Sequence, residues 1–315
     1  MRGQKGAAVV MAMFVVVLCT LTISPLIWNL FASAKTVSVG SARAQTREVA
    51  LSGMDWARVI LREDGRVTTE DNLTEPWALP LAETRVNEGL LRKNENTSTA
   101  PKRDAVLTGG IEDATGRLNL RNLGADQAGR DGWIKALGRL CELLNINEAQ
   151  RRQVVQTVEL MYPKLKVASN PDGTAQTGED NANPVVPARR WEELRGQYGI
   201  EPETWSQLRP YVVFLPEVTP VNANTASAEV LYAVLDGVSF GDAQNLVSQR
   251  QRVSFRTLND VQAALNGKIT PNSSVLSTKT SYFLVQGTTQ VDAALVKTTA
   301  LMQRKDGRVL ILWRN

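Results

Sequence analysis

Residues 5–27 read KGAAVVMAMFVVVLCTLTISPLI, and this segment sets the architecture of the chain. The next charged residue after Lys5 is Lys35, so the run between them can lie in hydrocarbon without burying a charge. A bilayer core of roughly 30 Å needs about 20 residues of helix, and residues 7–27 supply that length. Arg2 and Lys5 precede the run, and positive flanks stay in the cytoplasm. The sequence therefore predicts a single-pass membrane helix, with the body of the chain beyond the membrane.

Three interpretations of this N-terminal segment are open. A secretory signal peptide is one, because residues 32–34 form an A-x-A site, although the apolar run is about twice the usual length. An uncleaved membrane anchor fits the hydropathy equally well. A short basic leader that ends in Gly6 and passes directly into an apolar helix is similar to the leader of type IV pilin-like proteins. That interpretation places cleavage by a prepilin peptidase between Gly6 and Ala7.

Composition argues against most enzyme classes and against a polyanionic partner. The chain has 36 basic and 32 acidic residues and a formal charge of +4, which does not favour nucleic acid. It has no histidine, so histidine-activated nucleophiles, histidine-bound zinc and a histidine general base are all excluded. Cys19 lies in the apolar span and Cys141 in a helical pattern, so no disulfide is predicted between them. We expect a protein that is not an enzyme.

The helical pattern continues beyond the membrane. Four apolar residues recur at spacings of four, three and four, on one helical face: Ala50, Met54, Ala57 and Leu61. Gly65 is a typical helix stop. The sequence predicts one helix from Ala7 to Asp64, which is roughly 85 Å long at 1.5 Å per residue.

The rest of the chain alternates between strand and helix patterns. Strands are predicted at 85–91 and 117–120, with a polar loop at 93–102. Helices are predicted at 132–144, 147–161, 191–198, 201–208, 226–235, 240–251 and 258–266, with a long surface loop at 169–187. Alternating residues from 282 onward predict strands, and Asp306-Gly307 between the runs 291–303 and 308–313 predicts a hairpin. A long N-terminal helix on an antiparallel sheet is an α+β fold.

Residues 221–231 read VNANTASAEVL, and with the turn and helix that follow they resemble a helix-hairpin-helix unit. Nucleic-acid-binding members of that class carry two glycines in the hairpin, which let backbone N–H groups approach a phosphate. Here Ser239 stands at the second glycine position, and Asp236 places a negative charge where a phosphate would lie. A structural hairpin is favoured over an exported DNA-binding or uptake protein, for which loss of duplex binding on mutating Arg250 is the test.

Four segments of the chain resemble one family, minor pseudopilin K of type II secretion systems, and they occur in the same order as in that family. They are Gly6-Ala7, DNLTEPWA at 71–78, IEDATGRLNLRNL at 111–123, and VNANTASAEVL at 221–231. The resemblance extends over nearly the whole chain. It implies a pilin-like domain interrupted by a large helix-hairpin-helix or SAM-like helical domain. The implied parts are a leader at 1–6, a transmembrane part at 7–31, pilin-like segments at 32–123 and 276–315, and an inserted helical domain at 124–275.

The resemblance also implies a function. Family members are minor pseudopilins at the tip of the pseudopilus, where they initiate or cap it and support protein secretion across the outer membrane. Implied partners are the I-, J- and H-type minor pseudopilins, the major pseudopilin and the prepilin peptidase, with no nucleic acid. The implied location is the inner membrane, with a cytoplasmic N-terminus that is cleaved and methylated and a periplasmic body. A tip subunit of another type IV pilus-like machine is an alternative.

Met11 is the residue that bears on position in the filament. Counted from Ala7 it is the fifth mature residue, where most pilin-like subunits carry a Glu that neutralises the N-terminal ammonium of a neighbouring subunit. A subunit that enters first has no such ammonium to neutralise, so Met11 fits a tip subunit. An ordinary apolar anchor explains Met11 equally well.

The acidic loop is the candidate for metal binding. Family members bind calcium in the helical domain, and Asp172, Glu179 and Asp180 resemble the acidic segment there, with the oxygen ligands that calcium prefers. The family's tyrosines are replaced by Asn181 and Ala182. A solvated loop without calcium is the alternative.

Overall fold

The computed structural model describes residues 5–87, 104–124, 127, 129–162, 167–169, 175–177, 189–194, 198–292 and 294–315. The chain divides into two compact units. Unit 1 comprises Met1–Asp55, Leu81–Gly109 and Gly287–Thr298, and unit 2 comprises Trp56–Pro80, Gly110–Gln286 and Thr299–Asn315. The division into a pilin-like domain and an inserted helical domain stays a prediction.

The predicted N-terminal helix is confirmed as α1, Lys5–Val67. Its most apolar 18-residue window has a mean hydropathy of 2.5 and is not buried against the rest of the protein. The large apolar side chains from Val9 to Phe31 are exposed. By length and composition this is the one helix among the described residues that can cross a membrane.

The predicted helix stop at Gly65 is wrong. α1 continues through Gly65 to Val67, and Thr68 then donates its N–H and its hydroxyl to the carbonyl of Asp64, at 3.0 and 3.1 Å. A Cβ at Gly65 would lie 2.8 Å from the Cδ of Arg304. This glycine therefore allows a close side-chain approach and does not end the helix.

Eleven strands are described: β1 (Leu81–Asn87), β2 (Asp104–Asp113), β3 (Leu118–Asn119), β4 (Val167–Ser169), β5 (Ala175–Thr177), β6 (Val212–Val213), β7 (Val221–Asn222), β8 (Leu276–Ser277), β9 (Tyr282–Val291), β10 (Ala294–Lys305) and β11 (Arg308–Arg314). Five form one sheet in the order β1-β2-β9-β10-β11. The pairs β1/β2 and β10/β11 are antiparallel, which agrees with the predicted α+β class. The predicted hairpin is confirmed: Asp306 and Gly307 have φ of 51° and 70°, and Lys305 pairs with Arg308.

The other helices are α2 (Arg130–Leu143), α3 (Glu148–Met161), α4 (Pro202–Leu208), α5 (Ala228–Val234), α6 (Phe240–Arg250) and α7 (Leu258–Ala264). Each matches a predicted helix to within a few residues. Asn147 caps α3 by accepting the N–H of Gln150 at 2.8 Å, and Asn145 has φ of 56°, as a tight turn between helices requires.

Several predicted boundaries are wrong. The helix expected at 191–198 is a 3₁₀ turn, Trp191–Leu194, and the strand expected at 117–120 is shortened to β3, with a 3₁₀ turn on each side. The loop expected at 169–187 includes β5, which pairs antiparallel with β4. The loop at 93–102 lies outside the described residues.

Unit 2 has the main apolar core. Helices α2 to α7 bury one cluster with β3, β6, β7 and β8, and its members include Leu137, Leu140, Val154, Val158 and Leu231, all at or near zero exposure. Burying an aliphatic side chain of this size contributes roughly 1.5–3 kcal/mol. In unit 1 a smaller cluster packs α1 against the sheet: Ala42, Val49, Ala105 and Val291.

Candidate functional site

The structure places the predicted N-terminal residues on α1. Gly6 and Ala7 lie in its first turns, and the side chain of Met11 is 70 % exposed. Cleavage between Gly6 and Ala7 stays a prediction. The three residues proposed for calcium, Asp172, Glu179 and Asp180, lie outside the described residues.

The segment 71–78 is a tight turn that closes around one carboxylate. Glu75 is buried and its Oε2 accepts the indole N–H of Trp77 at 2.6 Å and the backbone N–H of Asn72 at 3.2 Å. The ring of Trp77 packs edge-on against Phe283, with centroids 5.3 Å apart. The turn therefore holds the buried side chain of Trp77 against Phe283.

Arg304 joins this turn to the end of α1. It donates to Asp64 at 2.6 Å and also to Asp71, and its guanidinium lies 4.9 Å from the centre of the Phe283 ring. Ligand atoms of Asp64, Asp71 and Glu75 lie within 4.8 Å of one another. The cation beside this cluster is a guanidinium supplied by the chain itself.

The electrostatics of the cluster follow from burial. Burial raises the pKa of Asp64, Asp71 and Glu75, and the hydrogen bonds and charge of Arg304 act in the opposite direction on the two aspartates. Two carboxylates share one guanidinium, and the third relies on neutral donors. This arrangement binds the turn to α1 and β10 and contains no group poised for catalysis.

The segments 111–123 and 221–231 meet at Asp113. Its Oδ1 accepts the N–H and the hydroxyl of Thr115 at 2.7 and 2.8 Å, and its Oδ2 accepts from Asn222 at 2.8 Å and Thr225 at 2.7 Å. Asn222 also donates to the backbone carbonyl of Asp71 at 3.1 Å. Three of the four ordered segments thus converge on one buried polar junction, which we call the motif junction (residues 71–78, 111–123 and 221–231).

The side chains of two asparagines in segment 111–123 form hydrogen bonds to the backbone of a distant segment. Asn119 accepts the N–H of Leu215 at 3.1 Å and donates to the carbonyl of Glu217 at 2.7 Å. Asn122 bonds both the N–H and the carbonyl of Thr219, at 3.2 and 2.8 Å. The sequence pattern had no local signal for these bonds, because the partners lie nearly one hundred residues away.

The hairpin after α5 is structural. Ser239 caps α6 and its N–H donates to Asp242, so a carboxylate occupies the helix N-terminus that would receive a phosphate. Asp236 pairs with Arg139 at 3.0 Å. Arg250, the residue named for the duplex-binding test, is buried: it donates to the carbonyl of Ala223 at 2.7 Å, and burial lowers its pKa to about 10.

Two family models match the segments that contain most of the motif junction. Both are described as type II secretion system (T2SS), protein K, and they match residues 116–217 and 221–279, together a little more than half of the chain. The chain belongs to the type II secretion system protein K family. Membership agrees with the resemblance of the four segments and makes this chain a minor pseudopilin of a secretion system, a structural component.

Two relatives support the assignment, one of them over nearly its whole length. Type II secretion system protein K of Pseudomonas aeruginosa is 29 % identical over 333 residues, which cover 100 % of this chain and 93 % of that protein. Protein K of Pectobacterium carotovorum subsp. carotovorum is 36 % identical over 104 residues, 30 % of this chain and 31 % of that protein.

A solved structure has the same fold. The GspK-GspI-GspJ complex from the type 2 secretion system of enterotoxigenic Escherichia coli contains a chain that superposes on this one with a TM-score of 0.64. The match has 17 % sequence identity and covers 89 % of this chain and 98 % of that one. The likeness establishes a shared α+β fold.

Proposed function

We propose that this chain is the tip subunit of a type II secretion pseudopilus, which it initiates and caps together with I- and J-type minor pseudopilins. The observation that carries the proposal is α1: a long helix whose first half is apolar, exposed and free of carboxylates from Val9 to Phe31. Such a surface is suited to a bilayer and afterwards to packing against the apolar helices of other subunits.

The position of Met11 supports a place at the end of the filament. A carboxylate at this depth is costly unless it is paired. A subunit with others on both sides gains from pairing its carboxylate with the ammonium of the subunit above, whereas a terminal subunit has no such partner. Met11 avoids the cost, so the helix is stable where nothing lies above it.

The leader and orientation follow from the same segment. Arg2 and Lys5 keep the N-terminus in the cytoplasm, a prepilin peptidase cleaves between Gly6 and Ala7, and the body lies in the periplasm, anchored in the inner membrane. The function is assembly without catalysis. The buried carboxylates Asp71, Glu75 and Asp113 are supporting observations, since hydrogen bonds inside the fold engage each of them.

Calcium in the loop that contains Asp172, Glu179 and Asp180 is part of this proposal. Hard oxygen ligands suit Ca²⁺. Isothermal calorimetry and thermal melting of the detergent-solubilised chain with Ca²⁺ and with a chelator test it. Heat of binding and a higher melting temperature are expected with Ca²⁺, and an unchanged melting curve without measurable heat would eliminate the site.

Co-purification tests the function. The tagged full-length chain is expressed with its prepilin peptidase and the I- and J-type minor pseudopilins of the same system, and the purified material is analysed by intact mass spectrometry. A complex is expected in which this chain begins at Ala7. A chain that starts at Lys35, or salt-sensitive binding of duplex DNA in the absence of co-assembly, would contradict the proposal.

A further inference from the structure

A cleft of about 470 Å³ opens on unit 2. Four arginines line it, from three separate parts of the chain: Arg117 after β2, Arg189 and Arg190 before the 3₁₀ turn at 191–194, and Arg209 after α4. Convergence of like charges from distant segments is unfavourable in the absence of an anion. The cleft therefore has the electrostatic character of an anion-binding site.

The floor of the cleft is apolar. Val212, Val213 and Phe214 are buried beneath the arginines, and Leu284 lies beside them at 8 % exposure. Charges act more strongly over such a floor than in open water, because the local dielectric constant is lower. A carboxylate in the cleft would thus be held more firmly than one on an open surface.

The arginines retain donors for a further anion. Three of them pair with partly exposed glutamates, at N–O distances of 2.7, 3.2 and 3.4 Å: Arg117 with Glu112, Arg190 with Glu193, and Arg209 with Glu192. Exposed pairs contribute little, and each guanidinium has five N–H donors. The paired arginines can therefore donate to a further carboxylate.

Trp313 forms one wall of the cleft. The guanidinium of Arg190 lies 5.3 Å from its ring centre. Its indole N–H is buried and has no acceptor among the described residues, and such a donor is costly to leave unpaired. The wall that Trp313 forms thus combines an aromatic ring face, a stacked guanidinium and an unpaired donor.

We propose that this cleft binds an aspartate or glutamate side chain of another minor pseudopilin. Tryptophan and arginine are among the side chains most enriched at protein–protein hot spots, and both line this cleft. The near-balanced charge of the cleft favours one acidic side chain over a polyanion. This inference rests on the proposed function and names the chemistry of one contact.

Charge reversal tests the cleft in the full-length protein. Binding of the detergent-solubilised chain to purified I- and J-type minor pseudopilins is measured at low and high salt for wild type, for R189E/R209E, and for the control R66E. Arg66 matches Arg209 closely: the side chains are 61 % and 60 % exposed, and their glutamate partners lie at 3.3 and 3.4 Å. We expect R189E/R209E to weaken binding about tenfold or more and R66E to change it by less than about twofold.

A zero-length cross-link identifies the bound group. In the R209K variant a carbodiimide can join the introduced amine to a carboxylate that touches it, and mass spectrometry locates the linked residue. A link to an Asp or Glu of a partner pseudopilin is expected. If the wild-type chain binds its partners and R189E/R209E binds them equally tightly, the cleft assignment alone is overturned. If the wild-type chain does not assemble with them, the proposed function is overturned and this inference with it.

Discussion

At the scale of single residues, asparagine and aspartate side chains connect distant segments of unit 2 through hydrogen bonds. The side-chain NH₂ of Asn222 donates to two distant segments, at the backbone carbonyl of Asp71 and the carboxylate of Asp113. Its side-chain oxygen Oδ1 accepts the N–H of Asn224 at 3.0 Å. The short segment β7 pairs with only two residues of β8. Side-chain bonds therefore supply part of the cohesion that longer strands give to other sheets.

Substitution of Asn222 tests this role. The variant Asn222→Ala leaves buried acceptors on Asp71 and Asp113 short of a donor, and we expect a loss of about 2–3 kcal/mol in the free energy of unfolding. Asn272→Ala is the control, because that side chain makes only exposed bonds to Ser274, both 2.9 Å long. Denaturant unfolding followed by tryptophan fluorescence should show a loss below about 1 kcal/mol for the control; equal losses would contradict the account.

At the scale of elements, helix ends are fixed by local side-chain chemistry. Both α6 and α7 begin with capping boxes, formed by Ser239 with Asp242 and by Thr257 with Asp260. Asp242 also accepts from Lys268 at 2.6 Å. These donors hold its pKa at about 2, below the ordinary value of 3.8, with the Lys268 hydrogen bond as the largest cause.

The cap makes α6 sensitive to acid in a defined range. Because the pKa of Asp242 is lowered in the folded state, its stabilisation is present above the unfolded value of 3.8 and is lost as the pH falls towards about 2. We expect Asp242→Asn to be less stable than wild type at pH 5 and to approach wild type near pH 2. Thermal melting at both values measures this, and a constant difference between the two proteins would refute it.

Two of the glycines in the long helix α1, Gly40 and Gly65, have different surroundings. A Cβ at Gly40 would meet nothing within 4 Å, whereas one at Gly65 would lie 2.8 Å from the Cδ of Arg304. Arg304 is held by Asp64 and Asp71, so it cannot move aside without disturbing those pairs.

Alanine at the two glycines should separate these effects. Gly40→Ala should stabilise α1 by up to about 1 kcal/mol through helix propensity. Gly65→Ala should destabilise the protein by about 1–3 kcal/mol through displacement of Arg304. Melting temperatures of both variants provide the comparison, and a stabilised Gly65→Ala protein would show that the close approach has no consequence.

At the scale of the whole molecule, the features that could be predicted from sequence are those that depend on residues close together in the chain. The apolar run of α1 and the Asp306-Gly307 hairpin both have local signals, and each prediction is confirmed. The motif junction and the arginine cleft had no local signal, because their members are separated by up to 160 residues in the junction and by 196 residues between Arg117 and Trp313. Only the folded chain brings Arg304 to Asp71.

Met11 gives a prediction about the assembled filament. A Met11→Glu variant should still insert into the membrane, since one carboxylate near the end of an apolar helix costs only a few kcal/mol, and it should not enter the shaft, because we propose that the inserted helical domain implied by the family resemblance also obstructs the addition of further subunits. Membrane fractionation and quantitative mass spectrometry of sheared pseudopili measure the two properties. Abundance in the shaft comparable to that of the major subunit would contradict a capping role.

The position of this subunit within the filament tests the central claim most directly. A short affinity tag is inserted in the polar segment 93–102, pseudopili are assembled with all subunits of the system present, and gold particles bound to the tag are mapped by electron microscopy. The account predicts gold at one end of each filament and none along its length. Gold distributed at regular intervals along the shaft would contradict it.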